Sequence, residues 1–308
     1  MEGLSQQHIT HGAEHPEVRK DIVARAVGES QTAFGCPRDF MDNRFVYLVV
    51  SARAHGLSVG VNMNPDKKCN FNCIYCEVHR DQPPQELQLD VKAMALELHK
   101  TLSFVLGGRL RERPAYQGVP DELLKLRHVA LSGDGEPTLA PNFVEAVQSV
   151  VHVRALGGFP FFKLVLITNA TGLDQESVRE GLKHFARYDE IWAKLDGGTQ
   201  NYLNRVDKMD VPLEKILDNI LSLARQRPVI IQSLFPAING QEPPTEEVEQ
   251  YALRLKELVA RGAQIPLVQI YSATRPTPNS NCGHLPLKTL SRIATAVRHI
   301  AGVQAEVF

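Results

Sequence analysis

From residue 57 onward the chain alternates two hydrophobic patterns. Short runs rich in apolar and β-branched residues lie at 57–63, 128–131, 163–168, 190–195, 229–235 and 265–271. They predict short strands. Between them apolar residues return every three or four positions: Val91, Met94, Leu98, Leu102 and Val105 in the first stretch, Leu287, Leu290, Ile293, Val297 and Ile300 in the last. That period lays one apolar stripe along a helix, which a sheet can cover. Six repeats of strand then helix predict a parallel sheet built from βα units.

The stretch 107–125 (GGRLRERPAYQGVPDELLK) interrupts the rhythm with Gly, Pro and charge, and predicts a surface excursion. Upstream lie a helix-like segment at 16–27, a turn at Gly35-Cys36-Pro37 and an apolar run at 45–50. The chain therefore divides into an N-terminal extension, 1–56, and one α/β domain, 57–308. No dinucleotide-type Gly fingerprint follows a strand, so the six units suit an open, partial (βα)6 TIM-like barrel. In such barrels the chemistry sits on loops leaving the C-terminal strand ends.

Composition changes this picture little. With 43% apolar and 22% charged residues, a chain of 308 can fill a sizeable core. A formal net charge of -1 supplies no global basic field, so a nucleic-acid partner would need a local basic patch and a small-molecule substrate is favoured. No apolar stretch approaches the roughly 18 residues that span a bilayer, and the N-terminus lacks a charged-then-apolar leader. A cytoplasmic protein without a membrane partner is the expectation.

Cysteine usage changes it a great deal. Three of the five cysteines, Cys69, Cys73 and Cys76, crowd into CNFNCIYC directly after the first strand, with the spacing CxxxCxxC. Three thiolates on one tight loop can ligate three irons of a cubane and leave the fourth iron open to an exogenous ligand. The alternative is a structural zinc, which needs a fourth ligand, and His79 is near enough in sequence to be considered.

The second strand ends in SGDGEPTL, where Gly133, Asp134, Gly135 and Glu136 make a turn in which backbone can approach a ligand closely. Thr168-Asn169 end the third strand, and Lys194 and Asp196 end the fourth. These place hydroxyl, amide, ammonium and carboxylate groups at the barrel mouth, although a lone Asn or Asp there is also a common helix cap. Gln232 and Tyr271 occupy the corresponding ends of the fifth and sixth strands.

The cysteine spacing, its place after the first strand and Tyr75 just before the last cysteine resemble the radical SAM superfamily. The succession CNFNCIYC, SGDGEPTL, LITNAT, EIWAKLD, VIIQSLF and QIYSATRPT further resembles its wyosine-base synthase-like group, which modifies a guanosine of transfer RNA. The resemblance implies a four-iron four-sulfur cluster on the three cysteines and S-adenosylmethionine as cosubstrate. It also implies reductive cleavage of the sulfonium to a 5'-deoxyadenosyl radical, which takes a substrate hydrogen. An external one-electron donor such as flavodoxin or ferredoxin is implied with it. By the same resemblance Tyr75 and the residues at 133–136 belong to the cosubstrate site, Thr168, Asn169, Lys194 and Asp196 serve ribose and methionine carboxylate, and Gln232 and Tyr271 meet ribose and adenine.

Cys282 lies in the loop after the sixth strand, where it could donate a hydrogen atom to a product radical or be an inert loop cysteine. The expected activity is that of a radical SAM oxidoreductase or synthase acting on an unidentified substrate. A wyosine-type synthase, an iron-sulfur electron carrier and a zinc-stabilised binding module are the alternatives.

Overall fold

The computed structural model describes residues 40–156, 158–275 and 277–308. The expected segment at 16–27 and the turn at Cys36 lie outside them. Within the described residues the six expected strands all form: β2 (Gly56–Asn62), β3 (Leu126–Ser132), β4 (Lys163–Thr168), β5 (Glu190–Lys194), β6 (Ile230–Leu234) and β8 (Val268–Tyr271). Each pairs in parallel with the next, and the sheet curls into a half-barrel.

Two edges extend it. The apolar run at 45–50 becomes β1 (Val46–Ser51), antiparallel to β2. Gly60 of β2 has no side chain because Tyr47 of β1 lies across it; a Cβ there would come 2.0 Å from the ring. At the other edge β10 (Ala305–Val307), too short to show a sequence pattern, pairs in parallel with β8. A two-stranded ribbon, β7 (Ala237–Ile238) with β9 (Cys282–Gly283), stands apart.

Helices α1 (Val91–Leu106), α2 (Phe143–Leu156), α3 (Glu176–Leu182), α4 (Gln200–Val206), α5 (Leu213–Ala224), α6 (Thr245–Ala260) and α7 (Leu287–Ala301) cover the outer face. Asp90 starts α1 by accepting the N–H groups of Lys92 and Ala93, both at 3.0 Å, which are orphan donors of a first turn. Met94, Leu98, Leu102 and Val105 are buried as the period requires. In α7 the stripe begins later than expected: Leu290, Ile293 and Val297 are buried, but Leu287 is exposed because it occupies the first helical position, outside the packed turn. The excursion at 107–125 is three 3-10 turns, pinned by buried Leu110, Tyr116 and Val119.

Alternate strand residues face inward. Ala130, Val165 and Trp192 form a small apolar layer there, distinct from the main core between sheet and helices. Below it the His128 ring meets Ser58 Oγ at 2.8 Å and packs edge-on to Trp192. No described helix is long and apolar enough to cross a membrane.

Candidate active site

The cysteine loop leaves β2 and is docked on three sides. Asn72 N–H donates to Asp207 O at 3.0 Å and Ile74 N–H to Val206 O at 2.8 Å, so the loop satisfies carbonyls left open at the end of α4. Glu136 N–H donates to Lys68 O at 3.0 Å, joining the loop to the turn after β3. Asn70 is held between Thr171 and Asn169, at 2.8 Å from each. Phe71 and Ile74 are buried, whereas Cys69, Cys73 and Cys76 are free thiols only partly covered.

The turn at 133–136 is built for closeness. Gly133 has φ +135°, and Asn62 at the end of β2 clamps Asp134 by donating to its carboxylate at 2.7 Å and accepting its N–H at 3.0 Å. A Cβ on Gly135 would come 2.0 Å from Lys68 O, so this glycine is required by the cysteine loop itself. Glu136 is buried and accepts from Thr138 N–H at 3.1 Å, Thr138 Oγ1 at 2.7 Å, Thr168 Oγ1 at 2.5 Å and Asn169 N–H at 2.7 Å. Burial pushes its carboxyl above the ordinary value while those donors pull it down.

Under the loop lies a buried charged cluster. The Tyr75 hydroxyl donates to Asp196 and stands 2.8 Å from Asp207. One phenolic proton can serve one carboxylate at a time, and burial together with the Asp196 charge raises Asp207 well above the usual carboxylate range. Lys194 Nζ lies 3.2 Å from Asp196 Oδ2 and 3.3 Å from Tyr271 OH. Burial alone would lower the Lys194 ammonium, but the neighbouring Asp196, Tyr271, Cys73 and Asp207 raise it, so it stays charged. Asp196 also accepts Leu234 N–H at 2.7 Å.

A cavity of about 190 Å³ is bordered by Cys69, Cys73, Cys76, Tyr75, residues 133–136, Thr168, Asn169 and Lys194. Sequence-predicted residues from four strand ends thus share one space. Asp196 lies behind Tyr75 and Lys194. Gln232 is buried against Gln269 at 3.3 Å, and the Tyr271 ring stacks 4.1 Å from the Arg53 guanidinium; neither borders this cavity. Cys282 is in β9, and its loop neighbours 279–281 line a separate recess on the outer side of the cysteine loop.

Sequence reasoning missed Asn62, Arg80 and Asp207. Asn62 ends β2 as Asn169 follows β4 and was open to the same logic. Asp207 follows a short helix rather than a strand, and nothing in its local pattern marks it. Arg80, four residues beyond Cys76, points back so that Nη2 comes 3.8 Å from Cys76 Sγ.

The chain belongs to the radical SAM superfamily, whose family model matches residues 63–252. A UPF0026 protein of Helicobacter pylori is 30% identical over 185 residues, 58% of this chain and 52% of that protein. The chain thus spans about half the length of that relative. Among solved structures, a radical SAM methyltransferase from Sphaerobacter thermophilus is 16% identical with a TM-score of 0.60, over 85% of this chain and 68% of that one. A structure of TYW1 with a lysine-pyruvate adduct bound is 15% identical with a TM-score of 0.53, over 83% and 84%. Both likenesses are of fold.

Members of this superfamily typically use a four-iron four-sulfur cluster and S-adenosylmethionine, and the residues present suit both. Burial raises the Cys69 and Cys73 thiols above their ordinary value, so a metal bound there must displace their protons. Among the described residues no three His, Cys, Asp or Glu side chains converge on a single-ion site. In a cubane each thiolate binds a different iron, so its three ligands need not converge.

Proposed function

We propose that this protein is a radical SAM enzyme in which Cys69, Cys73 and Cys76 hold one four-iron four-sulfur cluster, with S-adenosylmethionine bound against residues 133–136, Thr168, Asn169 and Lys194. The observation that carries this reading is the single cavity shared by the three thiols and those strand-end groups. When bound, the two cofactors supply reductive cleavage of the sulfonium and a 5'-deoxyadenosyl radical that abstracts hydrogen from the substrate.

The chain's own part is placement. Lys194, kept cationic by Asp196, offers a positive charge at the cavity wall for a carboxylate such as that of the methionine end. Asn169, fixed through Asn70 and Thr171, holds the strand end against the cysteine loop. The apolar layer of Ala130, Val165 and Trp192 closes the barrel beneath and keeps water from the reacting centre. An external one-electron donor such as flavodoxin or ferredoxin supplies the electron, and the balanced net charge favours a small-molecule substrate over transfer RNA.

Anaerobic reconstitution with iron and sulfide, followed by S-adenosylmethionine and dithionite, tests the reading. Release of 5'-deoxyadenosine supports it. A reconstituted protein that stores and returns an electron without cleaving the cosubstrate is a carrier, and one that takes up zinc instead of iron is a binding module.

A further inference from the structure

Arg80 is the cation nearest the cysteine ligands that nothing above employs. It is half-buried, four residues beyond Cys76, and borders both the thiol cavity and the outer recess of about 540 Å³. Its Nη1 donates to Lys67 O, which folds the side chain back over the loop, and its Nη2 comes 3.8 Å from Cys76 Sγ. Its Nε is buried without a partner. Among the described residues no carboxylate pairs with it, whereas neighbouring Glu77 is already neutralised by Arg275 at 2.7 Å. A guanidinium desolvated on one side and left without a counterion is complete only when an anion faces it.

We propose that Arg80 is a positioning residue for the cluster, whose guanidinium donates to the Cys76 thiolate and favours the reduced, more negative state. The proposal rests on the cluster assignment above. The physical reason is that cluster potentials follow net charge, hydrogen bonds to sulfur and exposure. A cation close to one ligand stabilises the added electron and raises the potential. The arrangement also ties redox state to loop geometry, because the same side chain grips Lys67 O, next to the residue whose carbonyl receives Glu136 N–H.

The test is redox titration of reconstituted protein followed by electron paramagnetic resonance, without cosubstrate, in wild type, Arg80→Lys, Arg80→Gln and Arg80→Met. Arg80→Met is expected to disfavour reduction at least tenfold, a midpoint about 59 mV more negative. Arg80→Lys should remain closer to wild type because it keeps the charge. If Arg80→Met and Arg80→Gln lose iron while Arg80→Lys keeps about four per chain, the charge holds the cluster in either redox state, and a role in favouring the reduced one is overturned. Equal midpoints in all four proteins overturn it. So does loss of iron in all three variants, since the fork to Lys67 O, and not the charge, would then be what matters. A wild-type protein that takes up no cluster refutes the function proposed above and leaves this experiment without a titrating signal, so the two failures are distinct.

Discussion

The Tyr75 hydroxyl and the Asp207 carboxyl meet at 2.8 Å beneath the cysteine loop, joining the residue before Cys76 to the end of α4. With Asp196 on its other side, the phenol is the link through which the loop, the fourth parallel strand and that helix hold one another. Tyr75→Phe removes the hydroxyl that both buried carboxyls use, while Asp196 keeps Lys194 and the Leu234 N–H. Leaving buried polar groups unsatisfied costs about 1–3 kcal/mol each, and more when they are charged. Urea unfolding of the metal-free protein should show a loss of at least that size. An unchanged midpoint would mean that the loop's other bonds, to Val206, Asp207, Glu136, Thr171 and Asn169, hold it without the phenol.

The cysteine loop itself makes the second prediction. Wild-type protein reconstituted anaerobically should hold about four irons per chain, as one cubane requires, and Cys69→Ala, Cys73→Ala or Cys76→Ala should each lose most of them. Close to eight irons would show that Cys36 and Cys282 take part in a second cluster. A Cys73→Ala protein that still produced 5'-deoxyadenosine at the wild-type rate would sink the assignment.

Much of this was legible in the sequence because parallel strands and ligand loops leave local signatures. The six strands lie within two or three residues of their expected bounds, and the thiols, residues 133–136, Thr168, Asn169 and Lys194 do share one cavity. What escaped depends on tertiary approach. Gly135 looked like a glycine kept for a ligand, yet the nearest obstacle to a side chain is Lys68 O of the neighbouring loop. Asp207 acquires its surroundings only when α4 and the cysteine loop close on each other, Arg80 only when its own loop folds back on Lys67 and Cys76, and three-residue β10 is too short to carry a period.

Gly135 supplies a steric test. Its backbone does not need the left-handed region, so Gly135→Ala is strained only by the 2.0 Å approach to a backbone oxygen that cannot swing away. Overpacking of this kind costs about 1–3 kcal/mol, and it should separate the two loops. Gly118→Ala is the control, since nothing lies within 4 Å of a Cβ placed there. Equal melting temperatures for the two variants would refute the close packing of the loops.

His128 sets a pH dependence. Burial, with Lys163 and Arg53 nearby, lowers its pKa from 6.5 to about 3. The unfolded chain therefore binds a proton that the folded chain refuses, and stability falls as pH drops from 6.5 toward 3. The slope from this one group is about 1.4 kcal/mol per pH unit. His128→Gln retains a partner for Ser58 without titrating, so its stability should change less steeply through that window. Parallel wild-type and variant curves would mean that His128 becomes protonated in the folded state without cost.

Glu136 is the residue whose role the structure sharpens most. Resemblance assigns it to the methionine end of the cosubstrate, whereas its two oxygens already accept from Thr138, Thr168 and Asn169. Glu136→Gln replaces one acceptor oxygen with an NH₂ group facing donors, so at least one of Asn169 N–H and the Thr168 hydroxyl loses its partner. For a buried donor that costs about 1–3 kcal/mol, and it should appear in the unfolding of protein without iron or cosubstrate. Loss of a charge-assisted contact to the cosubstrate would instead weaken its binding about tenfold to a hundredfold. Calorimetric titration of S-adenosylmethionine into the reconstituted variant, beside unfolding of the apoprotein, separates the two. We expect the stability to fall, because the four donors are in place before any ligand arrives. Weakened cosubstrate binding at unchanged stability would show that the carboxylate turns from its own chain to the cosubstrate when the site fills.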